Sequence, residues 1–455
     1  MRPLECLLIA VLTFAAGWLA LGAKGPMRLK ALILAAPLLA LVQALAEGFR
    51  WQMAPADLAA AVLPLALLAK GWIRIALAGL GALLAALSLA LGLAIPVRLL
   101  PPPAGPYAIG TRVYDWRDDS RPEPFTADQS DRREVMAQVW YPATPGARQP
   151  LAPYVADART VAPLARLLKL PGFVLSHLPL IRTNARLDAP AAPGRFPVLV
   201  FAHGRGGWRG HNTAQIEALV SRGYVVVALD HAYGAAGTVF SDGRLAAFDP
   251  RMMDRRYEDR MMPVFAADTA FALDRMAALD RQGPLAGRLD MARAGIFGLS
   301  MGGIIAAESC RTDPRFKACL IIDVDLPDDV TRQGLSQPAF YIARDLPSMR
   351  REGWPAGISQ RTYDTNALAF ERNGGPAWRL LVAGAFHTDF SDQPMLCARP
   401  VCRWLGLSGP IGKGRTAAIA EAYEAAFFDR WLKGLPAPLL DRPSPFPEAR
   451  LDRRP

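Results

Sequence analysis

Acidic residues are scarce at the start of this 455-residue chain: residues 1–100 hold three (Glu5, Glu47 and Asp57) against eight Lys/Arg. The charges leave uncharged apolar runs at Leu7–Ala23, Ala31–Ala46 and Ile75–Val97, with a weaker one at Leu58–Ala69. Cysteine is sparse as well. Cys6, Cys310, Cys319, Cys397 and Cys402 include no C-x-x-C pair, which excludes the common zinc-ribbon frameworks. The chain has no internal repeat and no long low-complexity tract. It also lacks a helix that combines basic and aromatic residues, so the net charge of +11 is scattered rather than gathered for a nucleic-acid groove. Beside long apolar runs, anionic lipid headgroups are the simpler partner for such charge.

A span of the bilayer core needs about 20 mostly apolar residues. The first and third uncharged runs meet this, the second does with its flanks, and the weak run needs the stretch from Trp51. A cleaved signal peptide is the plainer reading of the first run. However, Glu5 stands where a basic region belongs, and further apolar runs follow. The expectation is an all-α transmembrane region of about four helices over residues 1–100, with Pro37 and Pro64 inside helices. The first loop carries Lys24, Arg28 and Lys30, the second Arg50, and the third Lys70 and Arg74. With four helices and the first and third loops inside, both termini and the large C-terminal part face the periplasm or exterior of an inner-membrane-type bilayer. A count of three reverses this.

Pro101-Pro-Pro-Ala-Gly-Pro106 reads as a stiff exit from the last helix. A second unit is expected over residues 107–440. There, short apolar runs alternate with helical segments, the pattern of a mostly parallel α/β sheet flanked by helices. Strands are expected at Val135–Tyr141, Pro197–Ala202, Tyr224–Leu229, Ala294–Phe297, Ala318–Ile322, Ala339–Ala343 and Arg379–Ala383. Helices are expected at His211–Ser221, Pro263–Asp280, Met301–Arg311 and Thr416–Leu432, the last stopped by Gly434. Residues 151–193 form an apolar insertion that reads as a lid or membrane-touching surface, or more plainly as a buried loop. Cys397 and Cys402 are close enough in sequence to bridge in an oxidising compartment, or to remain two buried thiols.

The chemistry centres on Gly298-Leu-Ser-Met-Gly302, a G-x-S-x-G between an expected strand and an expected helix. Ser300 then sits on a sharp strand-to-helix turn, its hydroxyl raised above the sheet edge. The Met301 N–H points to the same place, at a helix N-terminus that favours negative charge. A serine hydroxyl needs a base. Of His177, His203, His211, His231 and His387, only His387 lies after Ser300, as the order Ser, acid, His of α/β-hydrolases requires. Three aspartates near the ends of strands can orient it: Asp323, Asp325 and Asp345, and spacing does not choose among them. A second oxyanion donor is expected from the N–H of Arg205, in the loop His203-Gly-Arg-Gly-Gly207. That loop is not a dinucleotide fingerprint, because Arg209 stands where the third glycine belongs. His203 precedes Ser300, so it is read as a loop-holding side chain.

At these residues the chain resembles the plasma-type platelet-activating-factor acetylhydrolases, within the α/β-hydrolase fold. The resemblance runs from about Val135 to Phe390. It rests on Phe201-Ala-His-Gly-Arg-Gly-Gly207, Gly223–His231, Gly298–Gly303, Phe316–Asp323 and Gly384-Ala-Phe-His-Thr-Asp-Phe390. It implies Asp323 as the acid, Ser300 and His387 as its partners, and the amides of Arg205 and Met301 as the oxyanion hole. It also implies hydrolysis of short or oxidised acyl chains on phospholipid-like esters at a lipid surface, with no cofactor and no metal. The chain departs from the family at Leu299, where the animal enzymes carry histidine, and in Val324-Asp-Leu-Pro327 after the acid. A dienelactone-hydrolase-like esterase, a peptidase, and an inactive membrane sensor are the other functions this fold admits.

Overall fold

The computed structural model describes residues 1–22, 26–412 and 414–454. Lys24, counted above in the first loop, lies outside them, as does Ala23 at the end of the first apolar run. The chain opens with five helices: α1 (Pro3–Ala20), α2 (Met27–Leu34), α3 (Ala36–Glu47), α4 (Ala54–Ala66) and α5 (Gly71–Ala94). They pack inside-out relative to a soluble bundle. Small residues fill the interior, among them Ala15, Ala16, Ala56, Ala59, Ala60 and Ala85, while Phe14, Leu38, Leu45, Leu83 and Leu93 face outward and exposed. This pattern suits helices surrounded by lipid, where close backbone approach rather than apolar burial drives association. A Cβ on Gly81 would meet Leu63 Cδ2 at 2.5 Å, so α4 and α5 touch there at glycine distance.

The span count differs from the expected four. α1 and α5 are each long and apolar enough to cross a membrane, and α2 with α3 makes a third only as one span bent by 42°. Pro37 lies in the first turn of α3, at that break, where the ring blocks continuation of α2. Pro64 is inside α4. With 13 residues α4 is roughly 20 Å long, short of a ~30 Å hydrocarbon core. One end of the bundle gathers its buried charges: Glu5 of α1 pairs with Arg50 at 2.6 Å, Arg2 bonds the Gly48 carbonyl at 2.8 Å, and Arg50 reaches the Ile95 carbonyl at 3.0 Å. At the other end, Gly22 lies beside the Arg74 guanidinium.

Beyond residue 107 the chain forms thirteen described strands. They are β1 (Ala108–Pro122), β2 (Arg132–Ala143), β3 (Leu151–Pro153), β4 (Arg182–Leu187), β5 (Phe196–Ala202), β6 (Val225–Asp230), β7 (Gly237–Val239), β8 (Leu245–Ala247), β9 (Leu289–Leu299), β10 (Phe316–Ile322), β11 (Ala339–Arg344), β12 (Ala377–Val382) and β13 (Ala449–Arg454). Eleven make one sheet in the order 13-12-11-10-9-5-6-2-1-4-3, and β7 pairs with β8 alone. β6, β5, β9, β10, β11 and β12 run parallel, whereas β2 and β13 join antiparallel on either side. All seven expected strands are present. Side chains alternate between two cores: Val198, Val200 and Ala202 of β5 face one, and Leu199 and Phe201 face the other. Covering on both faces is why these strands read as continuous apolar runs.

The helices of this part are α6 (Val161–Leu167), α7 (Thr213–Ser221), α8 (Arg255–Arg281), α9 (Met301–Thr312), α10 (Asp328–Gln333), α11 (Leu346–Arg351), α12 (Ala356–Arg372), α13 (Arg399–Trp404) and α14 (Arg415–Lys433). α8 begins eight residues before its expected start, capped by Asp254 accepting from the Tyr257 N–H at 2.9 Å, so Pro263 falls inside it. Gly434 ends α14 in the left-handed conformation, φ 68°, as expected of a glycine stop. The insertion 151–193 is structured, holding β3, α6 and β4. It meets the apolar bundle where Trp51 Nε1 donates to the Val174 carbonyl at 3.0 Å and the Trp51 and Phe173 rings lie edge to face. A further link runs from the Ala398 N–H to the Ala94 carbonyl at 2.7 Å. Two disulfides are formed, Cys397–Cys402 and Cys310–Cys319; the second, between the end of α9 and β10, was not anticipated.

Candidate active site

The strand order reverses between β5 and β9, and the loops that leave the carboxyl ends of these two strands meet there. Such a switch point opens a crevice above the sheet. β9 delivers Ser300 into it. The turn is so tight that a Cβ on Gly298 would stand 2.1 Å from the Gly302 carbonyl oxygen, and one on Gly302 would stand 2.0 Å from that of Ala202. Only glycine fits either position. Ser300 itself takes φ 58° and ψ −129°, a strained conformation for a residue with a side chain. Its N–H donates to the Ile322 carbonyl of β10 at 2.8 Å, which fixes the turn to the neighbouring strand.

The loop after β5 lies against this turn, with Gly204 packed on Leu299 and Ser300. His203 holds the loop: one ring nitrogen contacts the Gly204 carbonyl at 2.7 Å, and the other accepts the His231 N–H at 3.2 Å. The Arg205 guanidinium forks onto buried Glu258 of α8 at 2.7 and 2.5 Å. The backbone N–H groups of Arg205 and Met301 donate to no acceptor among the described residues. Two orphan donors beside a half-buried serine at a helix N-terminus make a place where negative charge is favoured.

Asp323 follows β10. It is fully buried and accepts from His387 Nδ1 at 2.6 Å and from the Arg344 N–H at 3.1 Å, while Arg344 Nε lies 2.7 Å from its Oδ2. Burial alone would raise its pKa. The Arg344 charge and the His387 bond outweigh burial and hold it at about 2. The other two aspartates are engaged elsewhere. Asp345 caps α11, accepting the Ser348 N–H at 3.0 Å, and Asp325 pairs with Arg255 at 3.1 Å and Arg361 at 3.0 Å. The remaining histidines also lie apart from this pair: His231 contacts Asp268 at 3.0 Å, His211 contacts Gln393 at 2.9 Å, and His177 contacts the Val174 carbonyl at 3.2 Å.

Ser300, Asp323 and His387 line one cavity of about 790 Å³, with Arg205 and Met301. Met253, Ile304, Val324, Trp354 and Ile358 make its apolar wall, and Arg255, Asp259, Asp325 and Arg361 its charged one. The Ser300 hydroxyl forms no hydrogen bond among the described residues, so the hydroxyl–imidazole contact is open here; such contacts often close only around substrate. The insertion 151–193 supplies no lining residue and instead presses Leu167 against Gly206, next to Arg205. The cavity wall comes instead from the start of α8 and from residues 353–361, with Met253, Ile304 and residues 323–325. No group of three or more His, Cys, Asp or Glu is placed to hold a metal among the described residues. Sequence reasoning missed Arg344, Glu352 and Trp354. Their one signal was a charged residue ending a buried strand at the same sheet edge.

The chain matches two family models: the alpha/beta hydrolase family over residues 199–452, and platelet-activating factor acetylhydrolase, isoform II, over residues 95–252. The platelet-activating factor acetylhydrolase of Cavia porcellus is 22% identical over 280 residues, covering 55% of this chain and 61% of that protein. A probable 1-alkyl-2-acetylglycerophosphocholine esterase of Arthroderma benhamiae is 24% identical over 282 residues, covering 58% of this chain and 68% of that protein. The chain thus spans about three fifths of the length of the mammalian relatives it matches. Among solved structures, a ferulic acid esterase from Streptomyces cinnamoneus is 33% identical with a TM-score of 0.63, covering 78% of this chain and 99% of that one.

Proposed function

Because the chain belongs to the alpha/beta hydrolase family, we propose that it is a membrane-anchored serine ester hydrolase for short-acyl or oxidised phospholipid-like esters. The observation that carries this reading is the buried Asp323 bonded to His387 at 2.6 Å on the cavity that Ser300 enters. In the reaction, His387 Nε2 takes the Ser300 proton as Oγ attacks the ester carbonyl. Asp323 holds the imidazole in the tautomer that leaves Nε2 free and favours the imidazolium that forms. The N–H groups of Arg205 and Met301 meet the developing oxyanion, each worth on the order of 3 kcal/mol. The imidazolium then protonates the leaving alcohol, and a water activated by His387 releases the acid. The similarity to acetylhydrolases supports the phospholipid-like substrate, and the volume suits a short acyl chain.

In this reading residues 1–100 are the anchor and residues 107–440 the catalytic unit. The ends of the bundle support an exterior catalytic unit. Arg28, Lys30, Lys70 and Arg74 belong to the loops at the end remote from it, whereas Arg2 and Arg50 at the near end are matched by Glu5 and Glu47. Two disulfides in the catalytic unit fit an oxidising compartment. A second substrate class, aromatic acyl esters, is favoured by Trp354 in the cavity wall and the resemblance to a ferulic acid esterase.

The test uses full-length protein in detergent. Ser300→Ala should remain folded, lose labelling by a fluorophosphonate probe and lose hydrolysis of p-nitrophenyl acetate; retained turnover refutes the assignment. Wild-type protein that is folded yet unlabelled would instead indicate an inactive binding domain. A panel of phospholipids with varied sn-2 chains, beside a feruloyl ester and a lactone, then ranks the substrate classes.

A further inference from the structure

Arg344 ends β11 with its side chain wholly buried, an expensive place for a charge unless the surrounding groups use it. Its contacts converge on both partners of the Asp–His pair. On one side, its N–H donates to Asp323 Oδ1 at 3.1 Å and its Nε lies 2.7 Å from Oδ2. On the other, its Nη1 donates to Glu352, whose carboxylate accepts the backbone N–H of His387 at 3.0 and 3.2 Å. The guanidinium also lies over the Trp354 ring, 4.2 Å from the centroid, and that ring packs on the His387 imidazole at 5.2 Å. Three routes therefore run from one side chain to the imidazole: through the acid, through the backbone and through the ring.

We infer that Arg344 is a positioning residue of the hydrolytic site, fixing the Asp323 carboxylate and, through Glu352, the backbone of His387, so that Nε2 is presented to Ser300. The inference rests on the hydrolase reading above and adds to it a reason for the buried charge. Arg344 touches no substrate, because Trp354 and Asp323 stand between it and the cavity. Its effect on titration is specific. The charged and titratable groups around the Asp–His pair are Arg344 from β11, Glu352 from the end of α11, Asp325 with its partners Arg255 of α8 and Arg361 of α12, Glu258 and Asp259 of α8 with Arg205 on the same cavity, and the buried His211. Arg344 is the cation in direct contact with Asp323. Without it the Asp323 charge acts on His387 uncompensated, the imidazolium is favoured, and the acid limb of the activity profile moves to higher pH.

The experiment compares Arg344→Met, Arg344→Lys, Glu352→Gln and Ser300→Ala in the full-length, detergent-solubilised protein. It measures kcat and KM for p-nitrophenyl acetate between pH 5 and 9, per folded molecule by circular dichroism. Arg344→Met should lower kcat by about 10–100-fold with KM within about twofold, and should move the acid limb up by about one pH unit. Arg344→Lys, which keeps the charge, should leave the limb in place. Glu352→Gln retains an acceptor for the His387 N–H but weakens the pair with Arg344, and should lower kcat about tenfold; it keeps the test available should Arg344→Met fail to fold. An unmoved limb and unchanged kcat in Arg344→Met, or unchanged kcat in Glu352→Gln, overturns the inference while inactive Ser300→Ala leaves the hydrolase reading standing. Active Ser300→Ala overturns both.

Discussion

Asp323 and Asp345 both stand at the carboxyl end of a strand, and exchanging each for asparagine should separate catalysis from capping. In Asp323→Asn the volume is kept, but the group facing His387 Nδ1 at 2.6 Å is no longer an anion. An amide can present its NH₂ there and enforce the wrong imidazole tautomer, a change that costs about 10⁴ in kcat in serine hydrolases of this logic, or roughly 5 kcal/mol of barrier. The same substitution leaves Arg344 with Glu352 as its remaining anionic partner, so stability should fall by about 3 kcal/mol, the low end for a broken buried pair. Asp345 caps α11 through the Ser348 N–H at 3.0 Å, and asparagine caps about as well as aspartate. Asp345→Asn should therefore change kcat by less than twofold and stability by a few tenths of a kcal/mol. The assay is p-nitrophenyl acetate turnover per folded molecule, with thermal melts alongside. Equal losses in the two variants, or a loss below tenfold in Asp323→Asn, would refute the assignment of the acid.

Three other outcomes are expected. Gly302→Ala places a methyl 2.0 Å from the Ala202 carbonyl and should abolish turnover, whereas Gly357→Ala, with nothing within 4 Å, should be neutral or slightly stabilising; equal behaviour in melts and turnover would contradict the geometry of the turn. Burial pushes the Glu424 carboxyl up to about 8, with Glu421, raised to about 7, acting alike. A folded-state pKa above the unfolded value means stability is full below about pH 4.5 and is lost as pH rises through 8. Glu424→Gln should accordingly be the more stable protein at pH 9, by up to about 4 kcal/mol in denaturant titrations, and little different at pH 4; an unchanged difference between pH 6 and 9 speaks against a buried neutral acid. Finally, protease added to spheroplasts should digest the catalytic unit, and full protection until detergent is added would reverse the proposed orientation.

The parallel centre of the sheet was legible because burial on both faces writes a continuous apolar run, as in Pro197–Ala202. β1 was not. One of its faces is solvated, and Arg112, Asp115, Arg117 and Asp119 interrupt any such run over its 15 residues. β13, at an edge of the sheet, spells Ala-Arg-Leu-Asp-Arg-Arg and reads as a polar tail until it pairs with β12. For the site, chain order isolated His387 and the glycine spacing marked Ser300. Which of three aspartates meets the imidazole is a matter of side-chain direction in space; the resemblance named Asp323, and the structure places that residue at 2.6 Å from His387. The Cys310–Cys319 bridge was hidden because its cysteines sit on different elements, one on a helix and one on the next strand. The bundle was legible as apolar but not as a count, since a proline break and a 13-residue helix do not announce themselves as full or partial spans.

The contacts of Trp51 with Val174 and of Ala94 with Ala398 moor the catalytic unit to its own helices at separate points. A body held that way cannot swing or roll as one on a leash would. With the helices in a bilayer, the height of Ser300 above the lipid is then a fixed dimension of the molecule. Under the proposed function, selection among esters would then be partly a question of depth, decided by how far a lipid must rise out of its leaflet before its ester bond reaches the hydroxyl.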